Sequence, residues 1–536
     1  MRTFQGLASA LFDEGLTTMF GIIGDSNMHY IAHYVDTLGG RYIGTAHEAS
    51  AMAMADGYWR SSGSLAVASV THGPGFTNVI TPLIEATRND SPVIVVTGDT
   101  PRDRTYGQRL DIPSIVQPTG AGYEPIYRSE TVVADVRRAV HRARTERRPI
   151  VINLPAELMN GETEEGVAGG RSVLHQPVLI ADEDAIDEAL GLIASANRPV
   201  VLAGHGAALS GARAELDQLA DLLGAPVATT LMGLDFFRGN PLNLGVCGNL
   251  GSDLAIEVIS EADCIVAFGA GLNRFTAGEG DLFRGKRIVQ CVSEAARVGL
   301  YTKPNQVVIG DAKQIAARFV ESLRAFDFTT RRWGDRYAER LRSSDVTTEY
   351  VDRSGGGVVD PRTAIARIDV LLPPSRLYVS DMGRFFKVWK YIHGYEPTSF
   401  THTIHFGSIG LSLGTGIGAA VGDPERLVVV LVGDGGLMQY VAELSTAAQL
   451  NARLIVLVLN DGAYGMEYGK LAEFGDDPRH CLTSWPDLAE LSRALGVPAL
   501  VVQDLTAVDA VGKMVAELDG PCLVDIRLDP TLDILA

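Results

Sequence analysis

Six consecutive apolar residues, 427–432, run into Gly433-Asp434-Gly435-Gly436. A helical spacing follows (Leu437, Val441, Leu444, Ala447, Ala448), and then a second apolar run, 454–459, stops at Asn460-Asp461-Gly462. That succession predicts strand, glycine turn, helix and strand, one βαβ unit of a parallel sheet. The same alternation recurs along the chain. Runs at 65–70 and 93–97 predict strands in the first part, and 199–203, 227–230, 264–268 and 287–291 do so in the middle. Runs at 377–380, 428–432, 455–459 and 522–526 do so in the last part. Two polar, glycine-rich, aperiodic stretches, 159–178 and 343–361, divide the series. The expected fold is therefore α/β, with three doubly wound parallel-sheet domains at 1–165, 180–342 and 360–536.

Length agrees with that division, because 536 residues exceed what one core accommodates. A composition of 46% hydrophobic and 21% charged residues supports large cores. A net charge of −19 argues against nucleic-acid and anionic-membrane partners, so an anionic cofactor would need a local cation and backbone dipoles. Cys247, Cys264, Cys291, Cys481 and Cys522 are scattered without metal-ligand spacing and read as buried, reduced thiols. The amphipathic start (Phe4, Leu7, Leu11, Phe12, with Asp13 and Glu14) reads as a domain's first helix rather than a signal peptide. No apolar run is long enough for a bilayer. A soluble, cytoplasmic protein is expected.

Candidate chemistry gathers at strand ends. Asp461 follows Asp434 by 27 positions, and each ends a predicted strand at its carboxyl side. On neighbouring strands the two carboxylates would converge at the rim where open α/β sheets bind ligands. Gly433, Gly435 and Gly436 would leave amides free for a diphosphate, and hard oxygen ligands beside phosphate suit Mg²⁺. A plain tight turn is the competing reading of Gly-Asp-Gly. A second candidate is Glu48, which ends the extended piece 41–45 and Ala46-His47 and opens a small-residue helix, 49–58. In isolation it reads as a helix-start carboxylate favoured by the dipole.

These segments resemble the thiamine-diphosphate enzymes. The 433–463 stretch is similar to that family's GDG signature and its Asn-rich turn, with Asp461 where Asn is usual. The resemblance implies metal binding by Asp434, Asp461 and the Ala463 carbonyl. Glu48 falls where the family keeps its cofactor-activating glutamate. Thr71-His72-Gly73-Pro74-Gly75-Phe76-Thr77-Asn78 resembles its SGPG-type loop. Gly407-Ser408-Ile409-Gly410, 25 residues before Asp434 counted from Ile409, resembles the segment whose apolar side chain wedges between the cofactor's rings. Gly383 and Arg384 fall where relatives hold the diphosphate. The domain order is that of acetolactate synthases, benzaldehyde lyase and pyruvate decarboxylases. It implies a pyrimidine-binding first domain, a diphosphate-binding third domain, and a homodimer or tetramer with Glu48 and Asp434 of one site drawn from different chains.

The chemistry so implied is decarboxylation of a 2-oxo acid, followed by enamine addition to a carbonyl acceptor. The alternative is protonation, which releases an aldehyde. The region 101–120 contains no histidine, unlike that of the decarboxylases, and this favours ligation. Asp25 nonetheless resembles their proton-relay aspartate. His72 is unusual in its loop, either an acid or base or a structural hydrogen-bonding group, and Gln108 resembles a glutamine that contacts the intermediate in acetolactate synthases. Tyr464, Gly465 and Met466 keep the turn after the metal. Glu467 and Lys470 replace an apolar residue and a tryptophan of the acceptor pocket, which implies a polar or charged acceptor. The middle domain holds FAD in some relatives. Here 204–211 lacks GxGxxG spacing and a following acidic residue, which favours a structural role. More remote alternatives are a nucleotide-dependent oxidoreductase and a non-catalytic relative that binds thiamine diphosphate.

Overall fold

In the 427–432 run every residue is buried, so side chains on both faces of the strand are covered, as parallel sheets require. The computed structural model describes residues 1–100, 105–163, 179–330, 332–394, 396, 398–517 and 519–532. Part of the expected first break, 164–178, lies outside these described residues.

Three six-stranded sheets result, and every paired strand in them is parallel. The first contains β1 (Thr18–Gly21), β2 (Arg41–Gly44), β3 (Val67–Val70), β4 (Ile94–Asp99), β5 (Gly122–Pro125) and β6 (Ile150–Pro155), in the order β2-β1-β3-β4-β6-β5. The second contains β7 (Pro199–Ala203), β8 (Val227–Thr229), β9 (Asn243–Val246), β10 (Cys264–Phe268), β11 (Arg287–Val292) and β12 (Gln306–Ile309), ordered β12-β11-β10-β7-β8-β9. The third contains β13 (Arg376–Ser380), β14 (Phe400–His402), β15 (Leu427–Gly433), β16 (Leu454–Asn460), β17 (Ala499–Val502) and β18 (Cys522–Arg527), ordered β14-β13-β15-β16-β18-β17. The fold is α/β with helices flanking each sheet. All five cysteines are buried and free. Among the described residues, no helix is long and apolar enough to cross a membrane.

The first and third modules share one hydrophobic core, which runs from Phe20, Ala51 and Val95 to Leu413, Val430 and Val456. Its centre is the crossing of the Glu48–Ser62 and Leu411–Gly422 helices. Residues 49–57 are all buried, so this helix is covered on every side rather than along one stripe. Glycines set the closeness of the crossing: a Cβ on Gly57 would lie 1.9 Å from the Thr415 carbonyl oxygen, and one on Gly418 1.9 Å from that of Met54.

The helical spacing at 437–448 predicted one helix. Two form instead, Asp434–Gln439 and Glu443–Gln449, broken at Tyr440 (φ −132°). The break turns Glu443 inward, where its Oε1 accepts the amide N–H groups of Ala46 and His47, each at 3.0 Å. In the middle module the 204–211 turn carries a short helix, His205–Leu209. Its glycines permit close packing, since Cβ atoms on Gly204 and Gly206 would meet Gly269 backbone atoms at 2.4 and 2.8 Å.

Candidate active site

The carboxyl rim of the first sheet carries one half of the site. Glu48 opens its helix just beyond β2, and the preceding loop is fixed from two sides. The His47 Nδ1 accepts the Ala49 N–H at 3.0 Å, and Glu443 holds the amides of 46 and 47. The Asn78 side-chain amide donates to Glu48 Oε2 at 2.9 Å. Gly75 lies beneath this carboxylate, where a Cβ would sit 2.9 Å from Thr71 Cγ2 and 3.5 Å from Glu48 Oε1.

Beside Glu48, loops after β1 and β3 bring the other acid–base candidates together. Asp25 is exposed in the turn after β1. The next residue, Ser26, accepts the His72 N–H at 3.1 Å through its hydroxyl and shares a hydrogen bond with Thr71 Oγ1 at 3.2 Å. His72 is buried, and its Nε2 shares a hydrogen bond with Gln108 Oε1 at 2.9 Å. The Tyr106 ring stands edge-on to it at 5.8 Å. Gly73 has φ +63°, and a Cβ there would lie 2.7 Å from the Gln108 carbonyl oxygen, so the loop needs glycine for both conformation and space.

The third sheet carries the other half. Parallel pairing of β15 with β16, with Gly433 opposite Leu459, brings Asp434 and Asp461 to the same carboxyl rim. Burial pushes the Asp434 carboxyl up to about 6, and the nearby Asp461 charge adds to the shift. Asp461 is also raised by burial, against the pull of Arg384. The Thr483 hydroxyl donates to Asp434 Oδ2 at 3.2 Å. Ala463 gives its N–H to Asp461 Oδ1 at 3.1 Å. The antiparallel bridge of Ala463 with Leu482 runs through the Gly462 carbonyl and the Tyr464 N–H, so the Ala463 carbonyl stays outside that ladder.

Ile409 sits half-buried between Gly407 (φ +87°) and Gly410 (φ +93°). Asp381, at the end of β13, accepts the Gly410 N–H at 2.5 Å and its own neighbour Met382 N–H at 2.8 Å. Ser408 donates to the Ile409 carbonyl at 3.2 Å. The first module grips the segment leading to this loop. Glu85 Oε2 accepts the Phe406 N–H at 2.7 Å and its Oε1 bonds His405 Nδ1 at 2.9 Å, while Arg60 donates to the His402 carbonyl and to Thr401.

Gly383 precedes Arg384, whose guanidinium Nε donates to Asp461 Oδ2 at 2.8 Å. Gly465 makes room for that pair: a Cβ there would lie 2.3 Å from Asp461 Oδ2 and 2.7 Å from Arg384 Nε. Tyr464 covers Gly435, Met466 is half-buried, and Glu467 and Lys470 are exposed on the Gly465–Phe474 helix.

Asp381, Asn78, Thr483, Glu443 and Glu85 were given no role from sequence. Asn78 stood inside a recognised loop, and its spacing from Glu48 held the only signal. The others act on partners brought near by the fold.

The residues present fit a diphosphate and a hard cation. A Cβ on Gly435 or Gly436 would lie 2.8 Å from the Tyr464 ring or from Asp381 Oδ2, so the turn stays glycine-only, with its amides at a helix start. Among the described residues, no three His, Cys, Asp or Glu side chains converge on a metal position. Two carboxylates plus a main-chain carbonyl nevertheless suit Mg²⁺, which fills its shell with phosphate oxygens and water.

Three models of one family match in order. The N-terminal TPP (thiamine pyrophosphate) binding domain of the thiamine pyrophosphate enzymes matches 1–116, the central domain 186–319, and the C-terminal TPP binding domain 381–526. The chain belongs to the thiamine pyrophosphate enzymes and is a thiamine-diphosphate-dependent enzyme. It is 27% identical to a probable acetolactate synthase large subunit of Methanococcus aeolicus, over 99% of this chain and 92% of that protein. Identity is 29% to the counterpart in Methanocaldococcus jannaschii, with the same coverage. It is 28% to a sulfoacetaldehyde acetyltransferase of Alcaligenes xylosoxydans xylosoxydans, over 92% of this chain and 86% of that protein.

Proposed function

We propose that this protein is a Mg²⁺- and thiamine-diphosphate-dependent carboligase. It would decarboxylate a 2-oxo acid and join the remaining acyl unit to a carbonyl acceptor. The observation that carries the reading is the pairing of a Glu48–Asn78 carboxylate cradle with an Asp434–Asp461 glycine rim in one chain. Similarity to acetolactate synthases and to an acetyltransferase supports acyl transfer over simple decarboxylation.

The bound cofactor would supply a nucleophilic carbon and an electron sink. This chain's residues would do the rest. Asp434, Asp461 and the Ala463 carbonyl would hold Mg²⁺, and the 433–436 amides the diphosphate. Ile409, fixed between two glycines, would press the cofactor into a folded conformation. Glu48 would bind the pyrimidine nitrogen and hold a proton there, with Asn78 orienting its second oxygen. His72, held by Gln108, and Asp25, on the same rim, would exchange protons with substrate. Exposed Glu467 and Lys470 fit an acceptor with polar or charged groups.

The complete site would need two copies of the chain, Glu48 from one and Asp434 from the other. The deciding experiment supplies thiamine diphosphate, Mg²⁺ and a panel of 2-oxo acids, with and without aldehyde or ketone acceptors, and identifies products by mass. A hydroxyketone or acetohydroxy acid is expected. Aldehyde alone would replace ligation with decarboxylation. Glu48→Gln should lower turnover by about 100-fold or more while cofactor binding, followed by tryptophan fluorescence, is kept. Unchanged turnover would refute the role of Glu48.

A further inference from the structure

Asp461 brings a second carboxylate to a rim that already holds buried Asp434, and two like charges there repel. A buried carboxylate needs a partner, and the structure provides one. Arg384 Nε lies 2.8 Å from Asp461 Oδ2, with the side chains 14% and 6% exposed. The rest of the guanidinium faces main-chain oxygens. Nη1 donates to the carbonyls of Pro530 and Leu532 at 2.9 and 3.0 Å, and Nη2 to that of Asp529 at 2.8 Å. Asp529 turns its own carboxylate to Thr531, whose N–H and hydroxyl it accepts at 2.8 and 2.7 Å, which leaves the three carbonyls pointing at the arginine. Among the described residues, Asp461 is the only carboxylate in ion-pair contact with Arg384. The planar fork matches this cage, which a lysine ammonium would fill poorly.

We propose that Arg384 is the charge-compensating partner that allows an aspartate to serve at position 461 of the metal site, and that residues 529–532 form the clamp that holds it there. This rests on the reading of Asp434 and Asp461 as Mg²⁺ ligands. The pair is then electrically equivalent to one neutral ligand, so the metal meets the single net negative charge of Asp434. Arg384 is thus a positioning residue for the metal rather than a phosphate ligand. The turn 529–532, close to the end of the chain, becomes part of the cofactor site.

The test is a double-mutant cycle on the full chain: Asp461→Asn, Arg384→Gln and the two combined. The readout is Mg²⁺ affinity in the presence of thiamine diphosphate, by calorimetric titration. Asp461→Asn alone leaves an uncompensated cation and should weaken Mg²⁺ binding about tenfold or more. Arg384→Gln alone leaves two unpaired carboxylates and should tighten Mg²⁺ binding while increasing hydrogen exchange at 528–532. The double variant should return to within about threefold of wild type. Arg384→Lys should keep Mg²⁺ affinity but loosen 528–532, which separates charge from clamping. Wild-type Mg²⁺ affinity, within about twofold, in Asp461→Asn, or weaker rather than tighter binding in Arg384→Gln, would overturn the proposal. A wild-type protein that takes up neither Mg²⁺ nor thiamine diphosphate would instead remove the cofactor reading itself, and this inference with it.

Discussion

Asp381 shows how much of the site depends on a residue with no motif of its own. Its carboxylate ties the end of β13 to Gly410, and so fixes the loop of Ile409. Burial pushes its pKa up to about 7 against the pull of the Gly410 and Met382 amides. The folded protein therefore holds this proton more tightly than the unfolded chain, whose aspartates titrate near 4. The stability this contributes is full below about pH 4 and is lost as pH rises through about 7. The melting temperature of the cofactor-free protein should fall between pH 5 and 8, and Asp381→Asn should flatten that fall by up to about 1.4 kcal/mol per pH unit. An unchanged slope in a calorimetric pH series would contradict it. Glu48, Asp434 and Asp461 could be picked out as candidates because they sit where strands end, in short runs that resemble family motifs. Asp381 and Thr483 were not, because what they hold lies 29 and 49 positions away.

Among elements, the readable strands were mostly interior ones with long apolar runs. Strands β5, β9, β12, β14 and β17 were not singled out, and all five lie at sheet edges, where one side is open and the apolar run is short or mixed. Interior β1 and β6 were missed for other reasons: β1, Thr18–Gly21, has only two large apolar residues, and Asn153 interrupts the apolar run of β6, its amide donating to Tyr123 and Asp99 across neighbouring strands. The broken helix at Tyr440 was invisible because the spacing of Leu437, Val441 and Leu444 fits one continuous helix. Only the demand of the 46–47 amides for Glu443 reveals the break. The crossing of the Glu48–Ser62 and Leu411–Gly422 helices leaves no room for growth. Gly418→Val should destabilise the fold by at least about 1–3 kcal/mol through overpacking against the Met54 carbonyl. Urea unfolding measures this, and a change within about 0.5 kcal/mol would mean that the helices can separate freely.

On the scale of the whole molecule, the proposed two-chain site makes a sharp prediction about mixtures. Glu48→Gln and Asp434→Ala variants should each be inactive alone. Co-expressed, half of the dimers would be mixed, and each mixed dimer would carry one intact site, so about one quarter of wild-type activity should return. No recovery despite demonstrated mixed dimers would place both residues of a site in one chain. The α/β class and the parallel sheets followed from the rhythm of the sequence. The fusion of the first and third modules into a single core did not, since periodicity describes each segment alone and is silent on which segments meet.

That fusion matters while the chain is being made. The helix at 48–62 is made well before residues 411–420, which cover the face carrying Ser50, Ala53, Met54 and Gly57. At ordinary elongation rates, roughly 5–20 residues per second, the intervening stretch takes tens of seconds to synthesise. Throughout that interval one small-residue face of the helix stays uncovered, an apolar patch that hydrophobic-binding chaperones could hold until the third module arrives.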